Sequence, residues 1–344
     1  MAPSFSGSRL RDIELKRILV IRGGALGDFI LTLPALRAIH EAYPAAHLEI
    51  LGYKHIVALV ENRGYAQAVR SIEYGALSSF FAKNSELPSD LANYFASFDL
   101  IVSYLYDPDR IFETNLRRCG VENLILGPGK LANSEHAAVQ LARPLEELGL
   151  QVRDFAAKVF LAPQDRQVAT EFLRDCARPI VALHPGSGSE KKNWQLENWV
   201  RLGNALLEAD NFGGSLLVIS GEADESEVAQ LEAIWKNARV RFAKHLPLPH
   251  LAALLEPAIF VGHDSGISHL AAAAGANCIL LFGPTDPEIW APQNQNVKVI
   301  RPSSARIEDV DVADVELALA ALLPEEIASD SSTRLGMTDK STTR

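Results

Sequence analysis

The chain has 344 residues, of which 48% are hydrophobic and 22% charged, the make-up of a globular protein long enough for two domains with separate cores. No stretch approaches the roughly 18 apolar residues of a membrane span, and Met1 to Glu14 hold no apolar core of signal-peptide length, so a cytoplasmic protein is expected. The net charge of −10 is spread as 17 Lys and Arg against 18 Asp and Glu in residues 1–160 and 16 against 25 in the remainder; without a basic stripe, a nucleic-acid partner is excluded.

The first element is the apolar, β-branched run Arg17–Arg22 (RILVIR), which reads as a strand. The turn GGALGDF, Gly23 to Phe29, follows it. A helix is expected over Phe29–Tyr43, where Ile30, Leu33, Leu36 and Ile39 recur at spacings of three and four, with Pro34 inside its first two turns. Gly24 and Gly27 allow close backbone approach to a ligand, while Asp28 at the helix start either caps the helix or faces a ligand. The glycine spacing departs from GxGxxG, so a nicotinamide site is disfavoured. Further strands are expected at Leu48–Gly52, Leu100–Ser103 and Leu124–Leu126. Cys119, Cys176 and Cys278 are too far apart for a local disulfide framework or zinc site and read as packing residues.

LAPQDRQ, Leu161 to Gln167, reads as a linker, giving an N-terminal domain over 1–165 and a C-terminal one over 166–323. The second half repeats the opening plan: the strand Ile180–His184, the glycine-bearing loop HPGSGSEKKNW (His184 to Trp194), and a helix from about Leu196. Ser187, Ser189 and the free amides between them, with Lys191 and Lys192, are the parts of a diphosphate cradle, although a solvated loop would have the same composition. Strands Ser215–Ser220 and Ile259–Gly262 come next. Asp264, Ser265 and Gly266 then open an alanine-rich helix whose first amides, with the hydroxyls of Ser265 and Ser268, favour an anion. His269 lies one turn inside, as a core histidine or a ligand contact. After the strand Cys278–Phe282, FGPTDP (Phe282 to Pro287) makes a rigid loop, and Val312–Leu323 reads as the last helix. The tail 324–344, rich in Ser, Thr and Asp, is expected to be disordered.

Alternation of strands and helices in both halves implies two Rossmann-like doubly wound α/β domains, facing each other across a ligand cleft at the carboxyl ends of their strands.

Three ordered segments, IRGGALGDFILTLPALRAI, HPGSGSEKKNW and HDSGISHLAAAAG with FGPTDP, resemble the glycosyltransferase family 9 pattern of the bacterial ADP-heptose:lipopolysaccharide heptosyltransferases. The resemblance runs from about Arg17 to Leu323. It implies the GT-B architecture and an inverting transfer without metal or other cofactor. By the same resemblance, Asp28 is the general base and Lys192 the cation that stabilises the departing diphosphate, assisted by Ser187, Ser189 and the amides around Ser265, Gly266 and Ile267. Asp264 matches the residue holding donor-sugar hydroxyls, Gly266 and His269 lie beside the donor phosphates, and Glu222 stands in the ribose-contacting turn (Ser220 to Glu225). Ser187 and Ser189 replace the paired threonines found in the family and keep their hydroxyls. The implied partners are a nucleotide diphosphate sugar and a lipid-linked or core oligosaccharide acceptor at the cytoplasmic face of the inner membrane. Arg63, Lys83, Arg110, Arg117 and Arg118 are candidate contacts to an anionic acceptor. A GT-B nucleotide-sugar 2-epimerase and a non-catalytic nucleotide-sugar-binding protein are the alternatives, since fold does not fix function.

Overall fold

The computed structural model describes residues 14–221 and 224–323. Over these the chain gathers into two compact units. One comprises the chain up to Ala162 with Pro247–Pro249 and Glu288–Asn294; the other comprises Pro163–Leu246, His250–Pro287 and the chain from Gln295.

The first unit carries β1 (Arg17–Arg22), α1 (Leu26–Ala42), β2 (His47–Gly52), α2 (Lys54–Val57), β3 (Ala68–Ser71), α3 (Ser89–Ala96), β4 (Leu100–Ser103), α4 (Ile111–Arg118), β5 (Leu124–Leu126) and α5 (Ala137–Ala142). Its sheet is parallel throughout, in the order β3-β2-β1-β4-β5. The second unit carries α6 (Pro163–Phe172), β6 (Ile180–His184), α7 (Leu196–Glu208), β7 (Ser215–Ser220), α8 (Glu225–Ile234), β8 (Val240–Lys244), α9 (Leu248–Leu255), β9 (Ala258–His263), α10 (Gly266–Ala274), β10 (Asn277–Leu281), α11 (Pro287–Trp290), β11 (Val297–Ile300) and α12 (Val312–Ala320), with α9 and α11 running across the division of the units. Its sheet is also parallel, in the order β11-β10-β9-β6-β7-β8. The expected doubly wound α/β class is borne out in both.

Central strands follow the sequence reading closely because, covered on both faces, they must be continuously apolar; β4 and β6, for example, are buried at every position. β3, β8 and β11 were not expected. All three are edge strands; β3 and β11 are half-buried at most positions and β8 is buried at only two of its five, so their sequences lack the apolar run that marks a central strand.

Two helical expectations need correction. The helix after β1 begins at Leu26 rather than Phe29 and is buried continuously from Phe29 to Leu36. It packs against α5 and is buried over eight consecutive residues, so its apolar residues surround it instead of forming one stripe. Pro34 therefore falls past the second turn, where the missing amide removes a hydrogen bond that burial on all sides offsets. Second, PQDRQ is not linker but the start of α6: Pro163 occupies the first helical position, where its missing amide costs nothing, and Asp165 complements the helix dipole. Among the described residues no helix is long and apolar enough to cross a membrane, and the tail 324–344 lies outside them.

The core of the second unit gathers around Trp199, Trp194, Leu202, Val218 and Val261. Trp194 and Trp199 meet edge to face at 5.3 Å, and Trp194 Nε1 donates to the Val310 carbonyl at 3.0 Å. The last residue of the loop that follows β6 is thereby fixed in the core.

Candidate functional site

In an open parallel sheet, ligands bind beyond the carboxyl ends of the strands where the order reverses. In the first unit that point is β1/β4; in the second it is β6/β9. Gly23–Asp28 follows β1, His184–Asn193 follows β6 and Asp264–Gly266 follows β9. Three of the segments selected by sequence thus leave the sheets at their switch points.

In the first unit, Gly24 adopts φ +96°, a conformation open to glycine and strained for a side chain. The turn brings the amide of Ala25 to Asp28 Oδ2, to which it donates at 3.3 Å. Asp28 keeps 35% of its side-chain surface in solvent. Behind it lies Arg22, 6% exposed, with Nη2 at 3.6 Å from Asp28 Oδ1 and 3.3 Å from the Asp28 carbonyl, to which it donates. Thr32 completes the arrangement: its hydroxyl accepts from Arg22 Nε at 3.1 Å and donates to the Asp28 carbonyl at 2.8 Å. Burial lowers the pKa of Arg22, while Asp28 and then Tyr104 oppose the shift. The guanidinium remains a cation, so Asp28 is held both as a helix cap and as one half of an ion pair.

Arg22, Gly23, Gly24 and Asp28 line a cavity of about 680 Å³ within this unit, together with Tyr106, Lys130 and Trp290. None of Arg63, Lys83, Arg110, Arg117 and Arg118 lines it. Arg63 donates to the carbonyls of Ala58 and Glu61, Arg110 is paired with Glu113, Arg117 donates to the Val121 carbonyl and Arg118 donates to Asn115. These four arginines serve their own loops and helix ends; Arg22 and Lys130 are the cations that line the cavity.

In the second unit, Lys192 Nζ donates to Asp264 Oδ2 at 2.7 Å, with 30% and 10% of the side chains exposed. Next to Asp264, Ser265 caps α10: its hydroxyl accepts from the Ser268 amide at 3.3 Å and lies 3.5 Å from His184 Nδ1. Ser268 in turn donates to the His263 carbonyl. With the third amide of α10 taken by the cap, those of Gly266 and Ile267 have no intrahelical carbonyl to meet, and both residues are half-buried. A cation and a helix amino terminus therefore sit side by side, a combination suited to phosphate oxygens. The buried Ser187 hydroxyl is engaged inside its loop, with the Ser189 carbonyl at 2.9 Å and Asn193 Oδ1 at 2.6 Å; Ser189 is half-buried. Gly186 lies so close to Asp224 that a Cβ there would come within 2.2 Å of the Asp224 Cβ, so only glycine lets the loop pack here. His269 is 5% exposed, Gly27 is half-buried at the start of α1, and Glu222 lies outside the described residues.

Sequence reasoning passed over Arg22, Thr32, Tyr106, Lys130 and His263. His263 Nε2 accepts from the Trp194 amide at 2.8 Å and Nδ1 faces the Gly186 carbonyl at 3.5 Å. The imidazole thus ties both ends of the β6 loop to β9. Its place directly before Asp264 was the available signal. Burial, aided by neighbouring His184, lowers its pKa from 6.5 to about 3, against the Gly186 carbonyl and Asp224. Because the folded-state value lies below the unfolded one, the unfolded chain takes up the proton first. Stability should therefore fall as pH drops from about 6.5 toward about 3, by at most about 1.4 kcal/mol per pH unit from this group. Urea unfolding at pH 7.5 and pH 5.0 checks this; His263→Gln should have lower stability at pH 7.5 and a smaller difference between the two pH values.

The model of glycosyltransferase family 9 (heptosyltransferase) matches residues 135–317, more than half of the chain. Lipopolysaccharide heptosyltransferase 1 of Escherichia coli K12 is 25% identical over 311 residues, spanning 83% of this chain and 93% of the relative. Lipopolysaccharide heptosyltransferase 3 of the same strain is 21% identical, spanning 79% and 83%. Among solved structures, the E. coli ADP-heptose lps heptosyltransferase II superposes with a TM-score of 0.72 at 16% identity, covering 89% of this chain and 98% of that one. The E. coli heptosyltransferase solved with ADP-2-deoxy-2-fluoro heptose gives 0.64 at 19% identity, covering 89% and 100%. The fold is therefore the GT-B fold expected from the sequence.

Proposed function

The chain belongs to glycosyltransferase family 9 (heptosyltransferase), and from that premise we propose that it moves a heptose from ADP-heptose to a lipopolysaccharide-core acceptor, inverting the anomeric centre without a metal ion. The enzyme works in the cytoplasm and meets its lipid-linked acceptor at the inner membrane surface. Its N-terminal domain holds the acceptor in the cavity above Asp28, and its C-terminal domain holds the donor.

Asp28 accepts the proton of the acceptor hydroxyl as that oxygen attacks the anomeric carbon; the bond from that carbon to the diphosphate breaks, and ADP departs with the added negative charge. Lys192 and the amides of Gly266 and Ile267 stabilise that charge, with Ser189 and Ser187 shaping the loop around it. Asp264 holds Lys192 and meets donor-sugar hydroxyls, Glu222 contacts the ribose and His269 backs the phosphate site. The observation that carries this reading is the Lys192 ammonium 2.7 Å from Asp264 at the capped start of α10: a fixed cation beside open amides does what a divalent ion does for a leaving diphosphate. The names of the relatives and the ADP ligands of the solved structures support the choice of donor.

Incubating the protein with ADP-heptose and a truncated core oligosaccharide, with and without EDTA, tests the proposal. ADP release should require the acceptor and be unchanged by the chelator. A sugar altered without acceptor would establish the epimerase reading instead.

A further inference from the structure

The walls of the cavity beside Asp28 are mounted on an element that does not line it. Neither His136 nor any residue of α5 is in the lining, yet α5 packs against α1, the helix whose first turn carries Asp28, and three parts of the wall are tied to it. Tyr104 donates its hydroxyl to the Leu141 carbonyl at 2.9 Å. Gln140, which is buried, fixes the loop that carries Lys130 and Leu131. Its Oε1 accepts from the Ala132 amide and its Nε2 donates to the Ala132 carbonyl, both at 2.7 Å, and to the Glu135 carbonyl at 2.8 Å. The third part is Trp290, and it is held through His136.

The strap Glu288–Asn294 packs within the first unit, although it follows β10 of the second in sequence. Two hydrogen bonds hold it there. The Ala291 carbonyl, next to Trp290 in the chain, lies 2.8 Å from His136 Nε2, and Asn294 Nδ2 donates to the Ala157 carbonyl at 2.8 Å. His136 Nδ1 accepts from the Ala138 amide at 3.2 Å and so caps α5. A backbone amide can only donate and a carbonyl can only accept, so the imidazole carries its proton on Nε2 and gives it to Ala291. Burial favours that neutral ring by lowering its pKa, against the Ala291 carbonyl and Glu288. Each nitrogen has its own duty: one ends a helix, the other holds the strap. Capping alone is served best by Asn, Asp or Ser; a side chain that also reaches a distant carbonyl is what the strap requires.

We propose that His136 is a positioning residue of the acceptor cavity: by holding the Ala291 carbonyl it keeps Trp290 in the wall, and acceptor affinity depends on that hydrogen bond rather than on the helix cap. This rests on the reading of the cavity as the acceptor site. His136 is buried and off the lining, so it acts through what it holds and touches no substrate.

Two substitutions split the imidazole into its halves, because asparagine places an oxygen where Nδ1 stands and glutamine an amide nitrogen where Nε2 stands. In the full chain acting on a truncated core oligosaccharide, His136→Asn should raise KM about tenfold, the scale of one buried hydrogen bond, with kcat and calorimetric ADP affinity changed by less than about twofold and the melting temperature near that of the parent. His136→Gln should do the opposite, melting lower while KM stays within about twofold of the parent. Trp290→Ala should raise KM as His136→Asn does, and the double variant should show no further rise, since both changes remove one wall. Acrylamide quenching of Trp290, read as the difference between the chain and its Trp290→Phe variant, needs no substrate, for Trp194, Trp199 and Trp235 are buried; His136→Asn should increase it and His136→Gln should not. Unaltered quenching or KM in His136→Asn overturns the inference, as does a KM that follows the melting temperature in both variants or a double variant whose effects add. If the parent transfers nothing from ADP-heptose to the oligosaccharide, the transferase reading falls, and the quenching together with the calorimetric affinity for the oligosaccharide still decides the role of His136.

Discussion

Asp28→Asn is expected to lower turnover by about 10²- to 10⁴-fold, the contribution of a positioned general base, with ADP affinity changed by less than about twofold. Asparagine keeps the shape of the side chain and an oxygen for the Ala25 amide, now 3.3 Å away, but it cannot take a proton from an attacking hydroxyl. Because Asp28 also pairs with the buried Arg22, some stability will be lost, and this is what separates the two roles of the residue. A mere cap predicts a lower melting temperature with turnover per folded molecule intact; a base predicts that turnover collapses even where the protein is fully folded. Melting curves and initial rates on the same preparations decide between them. Unchanged turnover in the folded variant removes the mechanism. Asp28→Ala should be as inactive and less stable, since it strips both the cap and the partner of a cation that is 6% exposed.

Lys192→Ala should reduce turnover by about 10²- to 10³-fold, the range found when one preorganised donor to a developing oxyanion is removed, and should weaken ADP binding by about tenfold. Its second effect comes from Asp264, which is 10% exposed at its side chain and would lose an ammonium at 2.7 Å. An unpaired, mostly buried carboxylate costs stability; with the ammonium itself 30% exposed, the loss should be about 1–2 kcal/mol rather than the larger values of fully buried pairs. The double variant Lys192→Ala with Asp264→Asn separates these effects. Its stability should return toward that of the parent, while turnover and ADP affinity stay low. Recovery of activity along with stability would mean that Lys192 serves only to neutralise Asp264.

Much of the fold could be read from particular residues. RILVIR and IVALH are continuously apolar because strands at a switch point are covered on both faces, and each is followed by glycines that no helix interior favours. That local contrast marks both glycine-bearing turns within a residue or two of where they leave β1 and β6. Of the four edge strands, only Leu124–Leu126 is legible in the sequence, and the others escape it for the complementary reason: Ala68–Ser71 and Val297–Ile300, for example, are half-exposed along their length and carry no apolar run. The start of α1 was misplaced because the glycine and aspartate in GGALGDF signal a turn as strongly as a helix cap.

The sequence alone determined the alternating strands and helices, the glycine turns and the identity of the family, since each depends on residues near one another in the chain. Which side chains meet was decided by tertiary structure. Lys192 and Asp264 are 72 positions apart, and His263 reaches back 69 positions to the Trp194 amide. The cavity over Asp28 collects Tyr53, Phe81, Tyr106, Lys130 and Trp290 from separate stretches of chain. No local pattern encodes such meetings, because they follow from the order in which parallel strands assemble, and that order is fixed by packing across the whole sheet.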